Sequence, residues 1–220
     1  MEKTQVLTIS SAIIDCESFL TTGDTTITSN QELKMLGFYF STKPSIQLQA
    51  DRLIRKASKH TFLLSKYKNY GVPIDKLKII YTSTIRSVLE YSSNTYHSQI
   101  NRGQANQLER AKKKCIKIIY GYQKSYQELL TLSKLDSMED RRVKLFDKFT
   151  KKTLENPKYQ HWFPLKTCIR DTRVIRPYIE ERATSVRLYR SPIYAMRRLL
   201  NDKIPVETDP KDLTGLYNAP

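Results

Sequence analysis

The chain has 220 residues, a formal net charge of +16 and a sequence pI of about 9.7. That length allows one domain or two small ones. A basic surplus of this size favours a polyanionic partner, first nucleic acid and then an acidic membrane surface. Three widely spaced cysteines fit neither a disulfide framework nor a zinc site, which indicates a reducing, intracellular setting. No apolar run reaches 18 residues, so no membrane-spanning helix is predicted and no membrane partner is expected.

The N-terminal region is predicted to form a small antiparallel sheet. Residues 4–14 are rich in β-branched side chains, and Thr25–Thr28 and Leu36–Phe40 form two further short strand-like runs. Gly23-Asp24 marks a turn between the first two. Gly37 lies inside the third run, where a glycine often marks a bulge or a close approach of the backbone to another group.

Helical periodicity begins at Ser45 and governs most of the remaining chain. Gly71 is typical of a helix C-terminus, and Ser137 with Asp140 forms a capping signal for a later helix. Helices are predicted at 45–70, 73–91, 104–120, 126–132, 138–154 and 192–200. The predicted fold class is therefore mainly α with a small N-terminal β portion (α+β), a hairpin followed by a bundle of four to five helices.

Charge also divides the chain. Five acidic residues against one lysine give residues 1–33 a net charge of −4, which leaves +20 for the other 187 residues. This shift near residue 34 indicates a boundary between two structural units. The predicted domains are a β portion at 1–42, a helical domain at 43–155 and a basic, partly irregular segment at 156–220.

Basic side chains gather in rows on the predicted helices. At 100° per residue, one row falls opposite the apolar Ala111, Cys115 and Ile118, and it consists of Arg110, Lys113, Lys114 and Lys117. A second row consists of Arg52, Arg55, Lys56, Lys59 and Lys66. A third consists of Arg170, Arg173, Arg176, Arg182, Arg187, Arg190, Arg197 and Arg198. Such rows can follow a phosphate backbone, and a solvated helix face is the alternative interpretation.

Other polar residues have structural interpretations. Tyrosines near helix ends, such as Tyr122 and Tyr126, either stack on bases or pack half-buried with the hydroxyl exposed to solvent. Glu109 is expected to make a local helix pair, for example with Lys113. Arg141-Arg142 is expected to pin Asp136 or to cap a neighbour. The three histidines are far apart in the sequence, and no catalytic or metal site is predicted from them.

Several short patterns follow one another in a fixed order along the chain. They are Leu36-Gly37-Phe38, Arg55-Lys56-Ala57-Ser58-Lys59, Leu63-Leu64, Leu77-Lys78-Ile79-Ile80-Tyr81, Leu89-Glu90-Tyr91, Gln107-Leu108-Glu109-Arg110, Ile118-Ile119-Tyr120-Gly121, the run 135–142, Arg187-Leu188-Tyr189-Arg190-Ser191-Pro192 and Leu200-Asn201. Together, from about residue 3 to residue 201, they resemble the end of the palm and the thumb of reverse transcriptases from non-LTR retrotransposons.

The resemblance implies roles for particular residues. Lys3 matches a lysine that closely follows the family's catalytic Asp-Asp box. Gly37 lies in the hairpin that positions the primer end, and the helices from Ser45 onward match the thumb that holds the template–primer duplex. The implied nucleic-acid contacts are Lys3, Gly37, Arg52, Arg55, Lys56, Lys59, Arg110, Lys113, Lys114 and Lys117.

The catalytic part of the family's pattern is expected to lie before Met1. The family's aspartates hold two magnesium ions during nucleotide addition, and the scattered Asp15, Glu17 and Asp24 do not replace them. No catalytic residue, metal ligand or cofactor is therefore predicted in this chain. It is expected to be inactive alone, although the parent activity would be RNA-directed DNA polymerisation with Mg²⁺.

Three functions stay open at the level of sequence. The first is a nucleic-acid-binding thumb fragment whose partners are RNA, DNA or an RNA–DNA hybrid, together with a separate palm or another protein. The second is a domesticated helical module that binds a protein. The third is a decayed retrotransposon fragment whose residues 1–42 would expose unpaired strand edges. The expected location is the nucleus or the cytoplasm.

Overall fold

Helices dominate the computed structural model, which describes residues 5–7, 19–22, 25–41, 46–166, 176–180 and 182–203. The prediction of a mainly α chain with a small N-terminal β portion is confirmed. Short segments raise the number of helices in these ranges above the four to five predicted. Contacts divide the chain into two compact units, residues 1–92 with 102–133 and residues 93–101 with 134–220. The segments 1–42, 43–155 and 156–220 stay a prediction about domains.

Four short strands form two separate antiparallel pairs. β1 (Phe19–Thr22) pairs with β2 (Thr25–Thr28), and β3 (Glu32–Met35) pairs with β4 (Phe38–Ser41). The predicted strand at 25–28 is confirmed. The predicted strand over Leu36–Phe40 is wrong at its start, because its first two residues form the turn between β3 and β4. Both have positive φ, 50° and 79°, the backbone that a two-residue hairpin turn requires.

Parts of the predicted N-terminal sheet lie outside the described residues. They include the turn at Gly23-Asp24, Lys3 and most of the strand predicted over 4–14. Within that strand the structure describes residues 5–7, where Val6 forms a bridge with Ser29. The carbonyl of Val6 also accepts a hydrogen bond of 2.7 Å from the N–H of Asn30.

The first unit is built on the contact between two long helices, α1 (Ile46–Asn69) and α5 (Arg102–Tyr120). Thr61 Oγ1 and Cys115 Sγ lie 3.2 Å apart at this contact. Side chains that these helices bury include Ala50, Leu53, Ala57, Leu64, Leu108, Ile116 and Ile119. Repeated apolar residues at three- and four-residue spacing thus place one face of each helix in the core.

The predicted glycine end of α1 is confirmed. The N–H of Val72 donates to the carbonyl of Tyr67 at 3.1 Å, and the N–H of Gly71 donates to Lys68 at 3.0 Å. Gly71 has a φ of 79°. This pair of bonds satisfies carbonyls that the helix leaves without partners, and it needs a left-handed residue at the position of the glycine.

A π-helical turn interrupts the second predicted helix. α2 (Ile74–Ile80) leads into the turn Tyr81–Arg86, which continues as α3 (Ser87–Glu90). The fully buried residues recur every fourth position, at Leu77, Tyr81, Ile85 and Leu89. A four-residue step drifts by about 40° in an α-helix, so a wider turn helps to keep this stripe on one face. Backbone carbonyls here accept hydrogen bonds from the hydroxyls of Thr82, Ser83, Thr84 and Ser87.

The second unit contains α4 (Ser93–Tyr96), α7 (Met138–Leu154), a 3-10 turn (Pro157–Trp162), α8 (Val186–Tyr189) and α9 (Pro192–Asp202). The predicted helices at 138–154 and from Pro192 are confirmed. The predicted cap is confirmed as well, because the N–H of Asp140 donates to the Oγ of Ser137 at 2.9 Å. A cluster of Phe146, Phe163, Tyr178 and Met196 forms the core of this unit. Every helix in the described ranges is too short or too polar to cross a membrane.

Candidate nucleic-acid interface

The row on α5 lies on the helix face opposite the core. Leu108, Cys115 and Ile119 are fully buried. Arg110, Lys113 and Lys114 are exposed, and Lys117 is half-buried. The predicted burial of Ala111 and Ile118 is only partial. In the described part of the chain, none of the four cations in this row forms an ion pair with a carboxylate.

Two tyrosines flank this row. Lys113 Nζ lies 5.4 Å from the ring of Tyr126 on α6 (Tyr126–Ser133), and Lys117 Nζ lies 5.8 Å from the ring of Tyr122. Tyr122 is 66% exposed, so much of its ring is accessible to solvent, as stacking on a base requires. The hydroxyl of Tyr126 donates to Glu109. Burial and this hydrogen bond raise the pKa of Tyr126 well above its usual value.

Lys112 does not belong to the exposed row, although it directly precedes Lys113 and Lys114 in the sequence. It is 1% exposed, and its Nζ lies 4.0 Å from Glu109 Oε1. Glu109 therefore makes its local helix pair with Lys112, and the pair suggested with Lys113 is wrong. The run of three lysines thus contributes two charges to the surface and one to the interior.

Only some of the cations in the α1 row are both exposed and without an acidic partner. Arg55, Lys56 and Lys59 are exposed, and within the described ranges none of them forms an ion pair. Arg52 differs, because its guanidinium contacts Glu32 at 2.5 Å and stacks 3.7 Å from the ring centre of Tyr39. Its charge is therefore largely neutralised by a neighbour on β3.

A groove of about 590 Å³ lies beside the β3–β4 turn in the first unit. The hydroxyl of Tyr91 donates to the carbonyl of Leu36 and holds the turn in place. A Cβ on Gly37 would lie 2.9 Å from that hydroxyl, so the predicted close approach at this glycine is confirmed. The groove is lined by Lys34, Gly37, Tyr39, Gln49, Arg52, Leu53, Lys56, Ser87, Val88 and Tyr91. The sequence did not predict Lys34 and Tyr91 as residues of this site, because β3 and α3 are far apart in the chain.

The structure does not place the two basic rows on one surface. Thr61 and Cys115 mark the contact between α1 and α5. At 100° per residue, the α1 row lies about 120–180° around its helix from Thr61, and the α5 row about 100–160° from Cys115. Each row thus lies on the far side of its helix from the shared contact, and the two rows point in opposite directions.

The third row is largely engaged within the second unit. Arg197 is buried, and its Nε donates to the carbonyl of Trp162 at 2.7 Å. Arg198 stacks 3.9 Å from the ring centre of Tyr189. Arg176 lies 4.0 Å from Asp202. Arg176, Arg182 and Arg190 are exposed, whereas Arg170, Arg173 and the side chain of Arg187 lie outside the described residues.

No protein-family model, curated protein or solved structure matches this chain. The described residues also contain no group of three or more histidine, cysteine or acidic side chains that could hold a metal ion. Lys3, the residue matched to a lysine that closely follows the catalytic box, lies outside the described residues. The candidate interface therefore rests on the exposed cations of α1 and α5.

Proposed function

We propose that this chain binds nucleic acid by phosphate contacts, with the row on α5 as its principal surface. The exposed cations of that row and their lack of acidic partners in the described chain carry the proposal. In this role the chain resembles the thumb of a non-LTR reverse transcriptase. The location that follows is the nucleus or the cytoplasm.

The spacing of the row suits a nucleic-acid backbone. The row extends over seven residue steps, from Arg110 to Lys117, which is about 10.5 Å along a helix at 1.5 Å per residue. Successive phosphates of one strand advance by about 3.4 Å along a duplex axis, so the row covers about three steps. Because the contacts are to phosphates, binding is expected to be nearly independent of base sequence.

Salt dependence tests the phosphate contacts. If all four cations neutralise phosphates, raising the salt concentration fourfold should weaken duplex binding by about 150-fold, from a slope of about −0.9 per contact. Fluorescence anisotropy with an RNA–DNA hybrid, duplex DNA and single strands measures this slope. The thumb assignment predicts the tightest binding for the hybrid. A flat salt response would exclude a phosphate clamp.

A matched pair of variants distinguishes binding through the α5 face from binding driven by the overall net charge. Lys113→Glu/Lys114→Glu changes the net charge by four units on α5. Lys148→Glu/Lys152→Glu makes the same change at exposed positions on α7. We expect the α5 variant to lose most of the hybrid binding and the α7 variant to keep most of it. Equal losses would mean that overall charge drives binding and would refute the α5 assignment.

Protein binding is the second candidate, because α1 exposes large apolar side chains. Phe62 is 62% and Leu63 47% exposed on this helix, and Tyr70 just beyond it is 80% exposed. A protein partner bound there should tolerate Lys113→Glu/Lys114→Glu and should be lost in Phe62→Ser/Leu63→Ser. A purified chain that does not fold would instead favour the decayed fragment.

A further inference from the structure

A buried arginine in the second unit lacks the partners that buried arginines need. Arg142 on α7 is 3% exposed. Its Nε and Nη1 are buried and make no hydrogen bond. The sequence suggested that Arg141-Arg142 pins Asp136 or caps a neighbour; Arg142 itself forms no ion pair with that carboxylate, which contacts Lys144 at 2.8 Å.

Two more unpartnered polar atoms belong to the segment that packs on this part of α7. Asn94 Oδ1 and His97 Nδ1 are buried without a hydrogen-bond partner. They stand three residues apart, within and just after α4, and α4 contacts α7. His97 stacks 4.7 Å from the ring centre of Phe146, one helical turn along α7 from Arg142. His97 therefore lies beside Arg142, and Asn94 lies one helical turn before His97; these three residues are called the cluster.

A positive charge in this cluster needs a counter-charge. A buried guanidinium without a carboxylate is strongly unfavourable, and Arg142 has no ion pair in the described ranges. Water could satisfy the N–H donors, but it cannot neutralise the charge. The pKa of His97 is lowered by burial and by Arg142, which means that the positive field reaches the imidazole.

We propose that the cluster of Arg142, His97 and Asn94 binds a small oxyanion, the carboxylate or phosphate group of a ligand. The planar guanidinium matches the geometry of such groups and contributes the charge. The imidazole donates from Nδ1 in the tautomer that carries a proton there, and the amide of Asn94 donates when its NH₂ faces the anion. This site belongs to the second unit and is independent of the nucleic-acid row on α5.

Side-chain NMR of the histidines provides a direct test. The chain has three histidines, so His60→Gln and His161→Gln assign the imidazole signals. The full chain is titrated with inorganic phosphate, sodium acetate and sodium chloride at constant ionic strength. We expect the His97 signals to shift and saturate with phosphate or acetate, and chloride to produce no such shift. The more effective anion identifies the phosphate or the carboxylate source.

Variants connect the response to the guanidinium. Arg142→Met should abolish the saturable shift, whereas Arg190→Met, at an exposed arginine of the same unit, should leave it unchanged. Arg142→Lys keeps the charge but loses the planar fork, so it should weaken phosphate binding at least tenfold. Arg142→Lys provides the test if Arg142→Met does not fold. The proposal is refuted by an unresponsive His97 in the wild type, by an equal response to chloride, by a saturable response that survives in folded Arg142→Met, or by phosphate binding in folded Arg142→Lys as tight as in the wild type.

Discussion

Replacing Lys112 on α5 by alanine should lower the stability of the chain, whereas the same substitution at the adjacent Lys113 should weaken its binding to nucleic acid. Lys112 is 1% exposed, and Lys113 is exposed in the basic row. Lys112→Ala removes three buried methylenes, worth about 2.4 kcal/mol at 0.8 kcal/mol each. It also removes the ammonium near Glu109, a smaller loss because that carboxylate is 26% exposed and screened by water. We expect Lys112→Ala to lower the free energy of unfolding by about 2–4 kcal/mol.

Lys113→Ala should leave that free energy within about 0.5 kcal/mol of the wild type, because the position is exposed. Its effect should instead appear in binding, as a salt slope shallower by about 0.9. Lys112→Ala, measured where the chain is folded, should keep the wild-type slope. Urea unfolding followed by far-UV circular dichroism and anisotropy across a salt series provide the two measurements.

A volume-conserving control separates packing from charge. Lys112→Met keeps most of the buried aliphatic chain, so it should cost less than about 1.5 kcal/mol. Equal destabilisation by Lys112→Ala and Lys113→Ala would refute the burial argument. A shallower salt slope in Lys112→Ala than in Lys113→Ala would refute the assignment of the row.

Three further predictions follow from local geometry. In urea unfolding, Gly37→Ala should lower the free energy of unfolding by about 1–2 kcal/mol more than Gly71→Ala does. Both glycines have a φ of 79°, but only at Gly37 would the new Cβ meet a tyrosine hydroxyl, at 2.9 Å. Burial lowers the pKa of His97, so the unfolded chain binds more protons than the folded chain. The free energy of unfolding, measured by the fluorescence of Trp162, should therefore fall as the pH drops below about 6.5. His97→Gln should flatten this pH dependence. Burial also raises the pKa of Cys115, so iodoacetamide should label its peptide only in denaturant, measured by mass spectrometry.

Each of these predictions has a contradicting result. Similar losses for the two glycine variants would mean that the tyrosine contact adds nothing beyond backbone strain. A stability that is constant or rises on acidification would contradict the lowered pKa of His97. Rapid labelling of Cys115 in native buffer would contradict its burial against α1.

Local signals in the sequence determined much of the secondary structure. Gly71 ends α1, Ser137 caps α7, and Pro192 opens α9, all as predicted. Each of these features depends on the backbone within about five residues of the named position, so a short stretch of sequence contains the required information. Helical periodicity likewise placed Cys115 on the buried face of α5, whereas Ala111 and Ile118 are only partly buried.

Distant contacts decided which charges remain available. Arg52 was assigned to a basic row, but Glu32, twenty residues earlier, takes up its charge. Leu36 adopts a positive φ in a turn whose carbonyl is held by Tyr91, fifty-five residues later. The sequence contained these residues but no indication of which of them would meet.

Burial of polar groups was decided by the tertiary structure alone. Lys112 occupies a core-facing position on α5, but its residue type indicates exposure, and only packing near Glu109 and Tyr126 determines the outcome. Arg142 and His97 come together because α4 packs on α7. Backbone hydrogen bonds form between near neighbours in sequence, whereas desolvation depends on everything that surrounds a side chain. The sequence therefore determined where helices begin and end, and the tertiary structure decided which of their charges face water.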